Sequence, residues 1–525
     1  MSCLNLSELD PYHLSLGRAF TNDPSAIKLI GMLSQWQEEG HICLKLDKLD
    51  QANKTFILDL IKACPSSFIS FQDQKKATPL YFVHTNLYLH KSFRAETLFI
   101  DELYRFLNTF ESLSPYFIEP DDNLNSQQNL ALKKALEPGM LILTGGPGTG
   151  KTFTAKKIAK ALIEKSSFFK RSIILAAPTS KALDQLKKSV GTFEGVELIA
   201  DTLHKLVEYF SKKPAYLNAS CIIIDEASMI EAPLMAKLFS SLGSQAKVIL
   251  MGDPFQLPPV GLGSFFHDLL SCESILPHVH HVHLSQSHRC QEPSINKLIE
   301  ITHKEGPDEF LNFLSKDTPH LNLIRHPLES FDNAIFENLS SFFDKDFLYS
   351  DDFEKIKMEK SKSIILSTLR RGPLGVDAIN KNLSQFFSSK SLSQRYYLEP
   401  IMLLETDKER GLFNGQTGLK VYDRQENRIF YRIQTKILTT LSPLKYTEAF
   451  ALSVHKSQGS EYDEVLFMLP QGSEKFSREI IYTALTRVRK KLTLWLDEEP
   501  LKGALLKNNY RQSGLLERIK DKFHN

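Results

Sequence analysis

Met140-Leu141-Ile142-Leu143-Thr144-Gly145-Gly146-Pro147-Gly148-Thr149-Gly150-Lys151-Thr152 is the stretch on which the reading of this chain turns. The apolar run Met140 to Leu143 predicts a buried strand. A glycine-rich turn follows, and a helix is expected to open near Lys151. In that setting the turn is a phosphate-binding loop: backbone N–H groups from Gly145 through Gly150, Pro147 excepted, can cradle phosphate oxygens. The Lys151 ammonium can reach the outer phosphates, and the Thr152 hydroxyl can ligate Mg²⁺. The helix N-terminus adds its positive dipole.

The same texture repeats downstream. Short apolar runs at Ile173–Leu175, Ile222–Ile224 and Val248–Met251 each end at a polar or Gly-rich turn, as buried parallel strands linked by helices do. A second set follows at Ile364–Leu366, Val465–Met468 and Leu492–Leu496, so two α/β sheets are expected. Residues 395–445 read as short antiparallel strands with turns at Asn414-Gly415 and Asp423–Glu426, a small β module inserted in the second sheet. Residues 1–114 read as mainly helical, and Pro115 to Asp122 as a linker. The expected division is therefore 1–114, 120–360 and 361–525. A chain of 525 residues exceeds the ~250–300 that one core usually serves.

Composition narrows the classes. No run approaches the ~18 apolar residues of a membrane span, and the N-terminus lacks the basic and apolar regions of a secretory signal. Six cysteines without a CxxC pattern read as reduced thiols in a cytosolic protein. The net charge of +2 does not announce a nucleic-acid binder; any such contact must come from a local groove.

Cys221-Ile-Ile-Ile-Asp225-Glu226-Ala227-Ser228 supplies the other half of a phosphate-transfer site. Asp225, at a strand end, can hold Mg²⁺, and Glu226 beside it can orient and deprotonate an attacking water. Gly252-Asp253-Pro254-Phe255-Gln256 marks another strand end, where Gln256 could sense the terminal phosphate; Gly-Asp-Pro is also a good turn. Arg289 and Arg487 are the candidates for positive charge on the transferred phosphoryl group.

Taken in order, these segments resemble the RecD family of superfamily-one helicases, the alpha subunit of the bacterial exodeoxyribonuclease V (RecBCD) complex. Gln128 in Asn125-Ser-Gln-Gln128 is similar to that family's adenine-reading glutamine. Ala177-Pro-Thr179-Ser-Lys-Ala182 and Thr202-Leu-His204-Lys-Leu206 are similar to its DNA-contacting segments. Phe450 to Glu461, with His455, is the most specific match, and Tyr482-Thr-Ala-Leu-Thr-Arg487 completes the set. The resemblance covers about 120–525. It extends more weakly to Gly40–Leu46, to Asn86–Glu96 and to Arg511-Gln-Ser-Gly-Leu515. The segment 206–219 is shorter than the strand-splitting hairpin the family often carries.

The resemblance implies two RecA-like motor domains with ATP and Mg²⁺ in their cleft and an SH3-like β insert. It also implies an N-terminal domain that docks on a RecC-like partner beside RecB, on single-stranded DNA and duplex ends. Movement would be 5′→3′, in double-strand-break repair, in the bacterial cytoplasm and on the nucleoid when bound to DNA. Thr179, His204 and His455 are the implied DNA contacts. Outside their motifs both histidines read equally as core or capping residues. The β module reads as a strand holder or as a plain lid on the second sheet. No separate nuclease domain is read. The alternatives are a free-standing helicase of the same branch, against which stand only three glycines in residues 1–138, and an ATP-binding structural subunit, against which stand Lys151, Glu226 and Arg487. Removing 1–114 is expected to spare ATP hydrolysis.

Overall fold

The computed structural model describes residues 9–524 apart from 72–76, 111–118, 166–171, 212–218, 220, 244–245, 287–291, 317, 325–336, 338, 344–347, 351–362, 391–394, 408, 434–435 and 440–443. Arg289, half of the linker and half of the 206–219 segment therefore lie outside the described residues.

The first sheet has six parallel strands in the order Val279–Leu284, Met140–Gly145, Lys247–Gly252, Cys221–Ile224, Ser172–Ala177, Glu197–Thr202. Its central strands are buried along their whole length, as a sheet with helices on both faces requires. Two of its strands escape an apolar-run reading. Val279–Leu284 carries three histidines among its aliphatics, and Glu197–Thr202 is a half-exposed edge.

The second sheet is also parallel: Leu321–Ile324, Val488–Leu496, Tyr462–Leu469, Ser363–Ser367, Ala451–Ser453. One of its strands comes from before the expected boundary at 360. Leu321–Ile324 pairs with Val488–Leu496, and helices Pro293–Lys304 and Pro307–Leu314 bury Ile295, Leu298, Ile301 and Phe310 in the second sheet's core. The chain thus leaves the first sheet after Leu284. The strand was illegible because Leu-Asn-Leu-Ile carries no continuous apolar run and finds its place only by adding to an existing edge.

The β module is antiparallel, with Tyr396–Leu403, Thr417–Asp423, Arg428–Ile433 and Lys436–Leu438 in succession. Tyr349–Ser350 and Tyr446–Glu448 also pair with Tyr396–Leu403. Gly415, at φ +82°, occupies the first expected turn, and Asn427, at φ +47°, ends a turn one residue past the second, Asp423–Glu426.

The N-terminal region holds more than helices. Cys43–Lys45, Asn86–Leu89, Leu80–Val83 and Ile69–Ser70 form a four-stranded sheet. Nor does the region stand apart from the first sheet. Helix His90–Leu107 packs on helix Ala232–Ser241, with Phe99 stacked on Phe265 at 4.5 Å and edge-on to Phe239 at 5.0 Å. One continuous core runs from Phe93 and Phe106 into the first sheet.

The C-terminal tail returns to this place. Gln512 O accepts from Ile42 N at 2.8 Å, and helix Leu515–His524 lies on His90–Leu107. Glu96, fully buried, takes Arg518 at 3.1 Å, the Tyr88 hydroxyl at 3.0 Å and the Gly514 N–H at 3.1 Å. A Cβ at Gly514 would stand 1.8 Å from the Tyr88 oxygen, so only glycine permits that approach. Residues 511–524 thus belong with the N-terminal region rather than with the second sheet.

Candidate functional site

The phosphate loop, Asp225, Glu226, Asp253 and Thr179 all follow the carboxyl ends of first-sheet strands, where open parallel sheets bind ligands. The loop is shaped by Gly148 at φ +77° and Gly150 at φ +85°, left-handed conformations that a side chain would strain. Helix Lys151–Lys165 starts directly behind it. The Lys151 ammonium lies on the loop itself, 2.6 Å from Gly145 O and 3.0 Å from Gly146 O. Thr149 also closes on Gly146 O at 2.9 Å.

Gln128 is buried at the loop's flank. Its Oε1 accepts from Asn125 N at 3.1 Å, while Asn125 accepts from Gln128 N at 2.8 Å, a reciprocal cap that starts helix Ser126–Leu136. Its amide nitrogen stands 2.7 Å from where a Cβ on Gly150 would be, so the lack of a side chain at Gly150 also admits the glutamine.

Asp225 and Glu226 turn sharply out of strand Cys221–Ile224. Asp225 Oδ1 accepts from Glu226 N at 2.8 Å, and Glu226 is left-handed at φ +52°. A non-glycine residue held there stores strain, a feature common at functional sites. Burial and the neighbouring Asp225 charge push the Glu226 carboxyl up, against the pull of Arg487 and Lys151. A carboxylate with raised proton affinity is a better base near neutrality.

Asp253 is almost wholly buried and joins the two sheets. Its Oδ2 accepts from the Tyr482 hydroxyl at 2.9 Å and from Gln256 Nε2 at 3.1 Å. Leu257 N donates to Thr483 Oγ1 at 3.1 Å. Helix Arg478–Leu485 thus closes over the first sheet's strand end, and the Tyr482 oxygen comes within 3.2 Å of a Cβ built on Gly146. A cavity of about 530 Å³ opens there, lined by Gly146, Pro147, His283, His303, Tyr482 and Thr486. Gln256 does not line it. Among the described residues the buried Oε1 of Gln256 finds no hydrogen-bond partner, and reaching a terminal phosphate requires the side chain to turn.

Arg487 is buried, with every guanidinium nitrogen engaged: Nε to Thr483 O at 3.0 Å, Nη1 to Ser460 O at 3.3 Å, Nη2 to Thr486 Oγ1 at 3.1 Å. A second crossing links helix Ser180–Val190 to the turn after His455–Ser457. There Lys181 Nζ donates to Ser460 Oγ, and Gln185 Nε2 to Gly459 O at 3.3 Å.

The three residues read as DNA contacts are placed differently. Thr179 caps helix Ser180–Val190, its hydroxyl accepting from Ala182 N at 3.2 Å. His204 is exposed on the first turn of helix Leu203–Ser211. His455 is half-buried, and burial lowers its pKa, favouring the neutral ring. Asp253, Tyr482 as its partner, and Lys181 with Ser460 were not singled out from sequence. Gly-Asp-Pro reads as a turn, and a buried bridging carboxylate shows itself only when its partner arrives from 229 residues away.

Among the described residues no group of three or more His, Cys, Asp or Glu forms a metal cluster. Thr152 and Asp225 are hard oxygen donors of the kind Mg²⁺ takes in ones and twos alongside phosphate oxygens, so the site fits that ion with a nucleotide. Also among the described residues, no helix is long and apolar enough to cross a membrane, and Cys43, Cys64, Cys221 and Cys272 are free thiols.

Residues 123–318 match the AAA domain family, and residues 448–495 match the UvrD-like helicase C-terminal domain. The chain is 28% identical over 510 residues to the RecBCD enzyme subunit RecD of Haemophilus influenzae, covering 82% of this chain and 77% of that one. It is 29% identical over 428 residues to the RecD subunit of Mycolicibacterium smegmatis, 75% of each. The ATP-dependent RecD2 DNA helicase of Deinococcus radiodurans matches at 28% over 424 residues, 76% of this chain and 52% of that one. Among solved structures, Bacteroides Pif1 bound to ssDNA aligns with a TM-score of 0.40 at 17% identity, over 77% of this chain and 98% of that one. Over most of its length the chain is thus similar to RecD subunits, and it carries the AAA and UvrD-like domains of an ATP-dependent DNA helicase.

Proposed function

We propose that this chain is the ATP-driven 5′→3′ DNA motor of a RecBCD-type helicase–nuclease, acting in double-strand-break repair with RecB- and RecC-like subunits. The observation that carries the reading is the cleft, where a phosphate loop on one parallel sheet is closed by the Tyr482–Asp253 bond from the other. ATP would sit on Gly145–Thr152 with Gln128 at its adenine, and Mg²⁺ would be held by Thr152 and Asp225. Glu226 takes the proton of the attacking water, Gln256 senses the terminal phosphate, and Arg487, with Arg289, answers its developing charge.

The working division is a first motor unit over 119–286 and a second over 292–506 carrying the β module, with an SH3-like character. The N-terminal region, braced by the tail, is the partner-docking unit. The single strand crosses the junction between Thr179, His204 and His455. Two crossings of one cleft, at Tyr482–Asp253 and Lys181–Ser460, give hydrolysis a route to the strand.

The test is DNA-stimulated ATP hydrolysis and displacement of a strand from duplexes tailed at 5′ or 3′, with Lys151→Ala as control. Hydrolysis abolished in that variant and displacement from the 5′-tailed duplex are expected; preference for the 3′ tail sinks the polarity. Purification from the native cell should bring RecB- and RecC-like chains, and a chain that purifies alone with full helicase activity favours the free-standing alternative.

A further inference from the structure

We infer that His283 is a further contact for the phosphates of the nucleotide, and that Thr144, His281 and Glu273 position it by deciding which of its ring nitrogens carries the proton. The inference rests on the reading of Gly145–Thr152 as a nucleotide site. Thr144 belongs to the strand that feeds the phosphate loop and is almost wholly buried. It stands opposite His283 in the parallel register, and His281, two residues earlier, shares their face of the sheet. The Thr144 hydroxyl oxygen lies 2.7 Å from His281 Nε2 and 3.0 Å from His283 Nδ1. Glu273, just after helix Phe265–Ser271, brings Oε2 to 3.3 Å from His281 Nδ1. Four side chains thus link a partly exposed carboxylate to the cavity that His283 shares with Gly146 and Pro147 of the loop.

A hydroxyl has one proton, so Thr144 can donate to only one of the two rings. With both rings neutral, the Glu273 carboxylate favours the His281 proton on Nδ1. His281 Nε2 is then bare and takes the Thr144 proton. Thr144 Oγ1 in turn accepts from His283 Nδ1, and the far nitrogen of His283, Nε2, is left as an acceptor. A phosphoryl oxygen is itself an acceptor and needs a donor there. One added proton supplies it. A proton gained at His283 Nε2 sends the Nδ1 proton of His283 to Thr144 Oγ1, and the hydroxyl proton of Thr144 to His281 Nε2. His283 ends neutral with an N–H at Nε2, and the positive charge rests on His281 against Glu273. Charge on His283 itself is disfavoured: burial holds its pKa down, His281 and Lys151 add to that, and Asp253 acts in the opposite sense. Nucleotide binding therefore takes up a proton from solvent and keeps its charge away from Lys151.

Calorimetric titration of the full-length chain with the Mg²⁺ complex of a non-hydrolysable ATP analogue, repeated in buffers of different ionisation enthalpy, counts the protons taken up. Wild type should take up roughly half a proton at pH 7, where an ordinary histidine is mostly neutral, and its Kd should rise about fivefold from pH 7 to pH 8. Thr144→Val keeps the shape and removes the middle proton of the relay. It should lose the uptake and hold Kd near the weaker value of high pH, and Thr144→Ser should restore both. Glu273→Gln should cut the uptake. His280→Gln, on the same strand but bonded to Pro138 O, should change neither quantity. The analogue's own titration is common to every variant, and thermal unfolding confirms that each folds. Uptake that persists in Thr144→Val puts the charge on His283 itself and overturns the relay. A wild type that takes up no proton, or full uptake in Glu273→Gln, overturns it too. A chain that binds no nucleotide overturns instead the site reading beneath it.

Discussion

Glu226 carries the sharpest single-residue argument. Its backbone is left-handed, and its carboxyl is pushed up by burial and by Asp225 while Arg487 and Lys151 draw it down. Opposed influences of this kind keep a base responsive to the charge that arrives with a nucleotide. Glu226→Gln should retain nucleotide binding while hydrolysis falls by about 10²–10⁴, the usual worth of a positioned base. Equilibrium binding of a fluorescent ATP analogue set against turnover checks this; normal turnover removes Glu226 from the role. Lys151, Asp225 and Glu226 were legible because the order of residue types along a strand–turn–helix is itself the chemistry. Thr179 shows the limit of that logic. The hydroxyl read as a strand contact also caps its own helix, a second use that the sequence pattern does not show.

Helix Leu515–His524 is the element with the largest unforeseen role. Its Arg518 answers a carboxylate that has no exposure at all, so Arg518→Met leaves Glu96 buried without its cation. Removing one member of a buried pair costs about 3–5 kcal/mol, which urea unfolding should register, with Asp101→Asn on the exposed pair to Lys522 changing little. A second carboxyl in the same seam, Asp268 on helix Phe265–Ser271, is pushed up to about 8 by burial, with Glu96 and Glu517 raising it and Ser513 and Lys45 lowering it. Its folded pKa lies above the ordinary 3.8. Stability from this group is therefore full below about pH 4 and is lost as pH rises through about 8. Asp268→Asn should flatten the fall of Tm across that window, and a parallel fall in wild type and variant counts against it. The strands at 43–45, 80–83 and 86–89 show why the N-terminal sheet escaped notice: each is three or four residues, too short for a period to declare itself.

The molecule is built around one seam where the N-terminal region, the first sheet and the tail share a core. That arrangement reverses the expectation that 1–114 can be removed without harm to hydrolysis. Deleting 1–110 strips Phe93, Phe99, Leu103 and Phe106 from the core, and each loss of such a phenylalanine costs about 3–5 kcal/mol against a total stability of about 5–15 kcal/mol. The truncated chain is expected to aggregate or unfold; if it stays monomeric, with native circular dichroism and hydrolysis intact, the seam is not structural. The docking role proposed for this region is therefore better probed by substitutions of its exposed Tyr12 and Phe20 than by deletion.

By itself, the sequence determined the chemistry and the two-sheet class. Phosphate loops, strand-end carboxylates and buried parallel strands are written in residue types a few positions apart, and local physics suffices to read them. Tertiary structure decided where one unit ends and the next begins, because Leu321–Ile324 joins the second sheet only by finding an edge. It also decided that the last residues brace the first region, and that Tyr482 reaches Asp253 while Lys181 reaches Ser460. Those contacts join residues hundreds of positions apart; no period or spacing encodes them, and only the closed chain brings their atoms together.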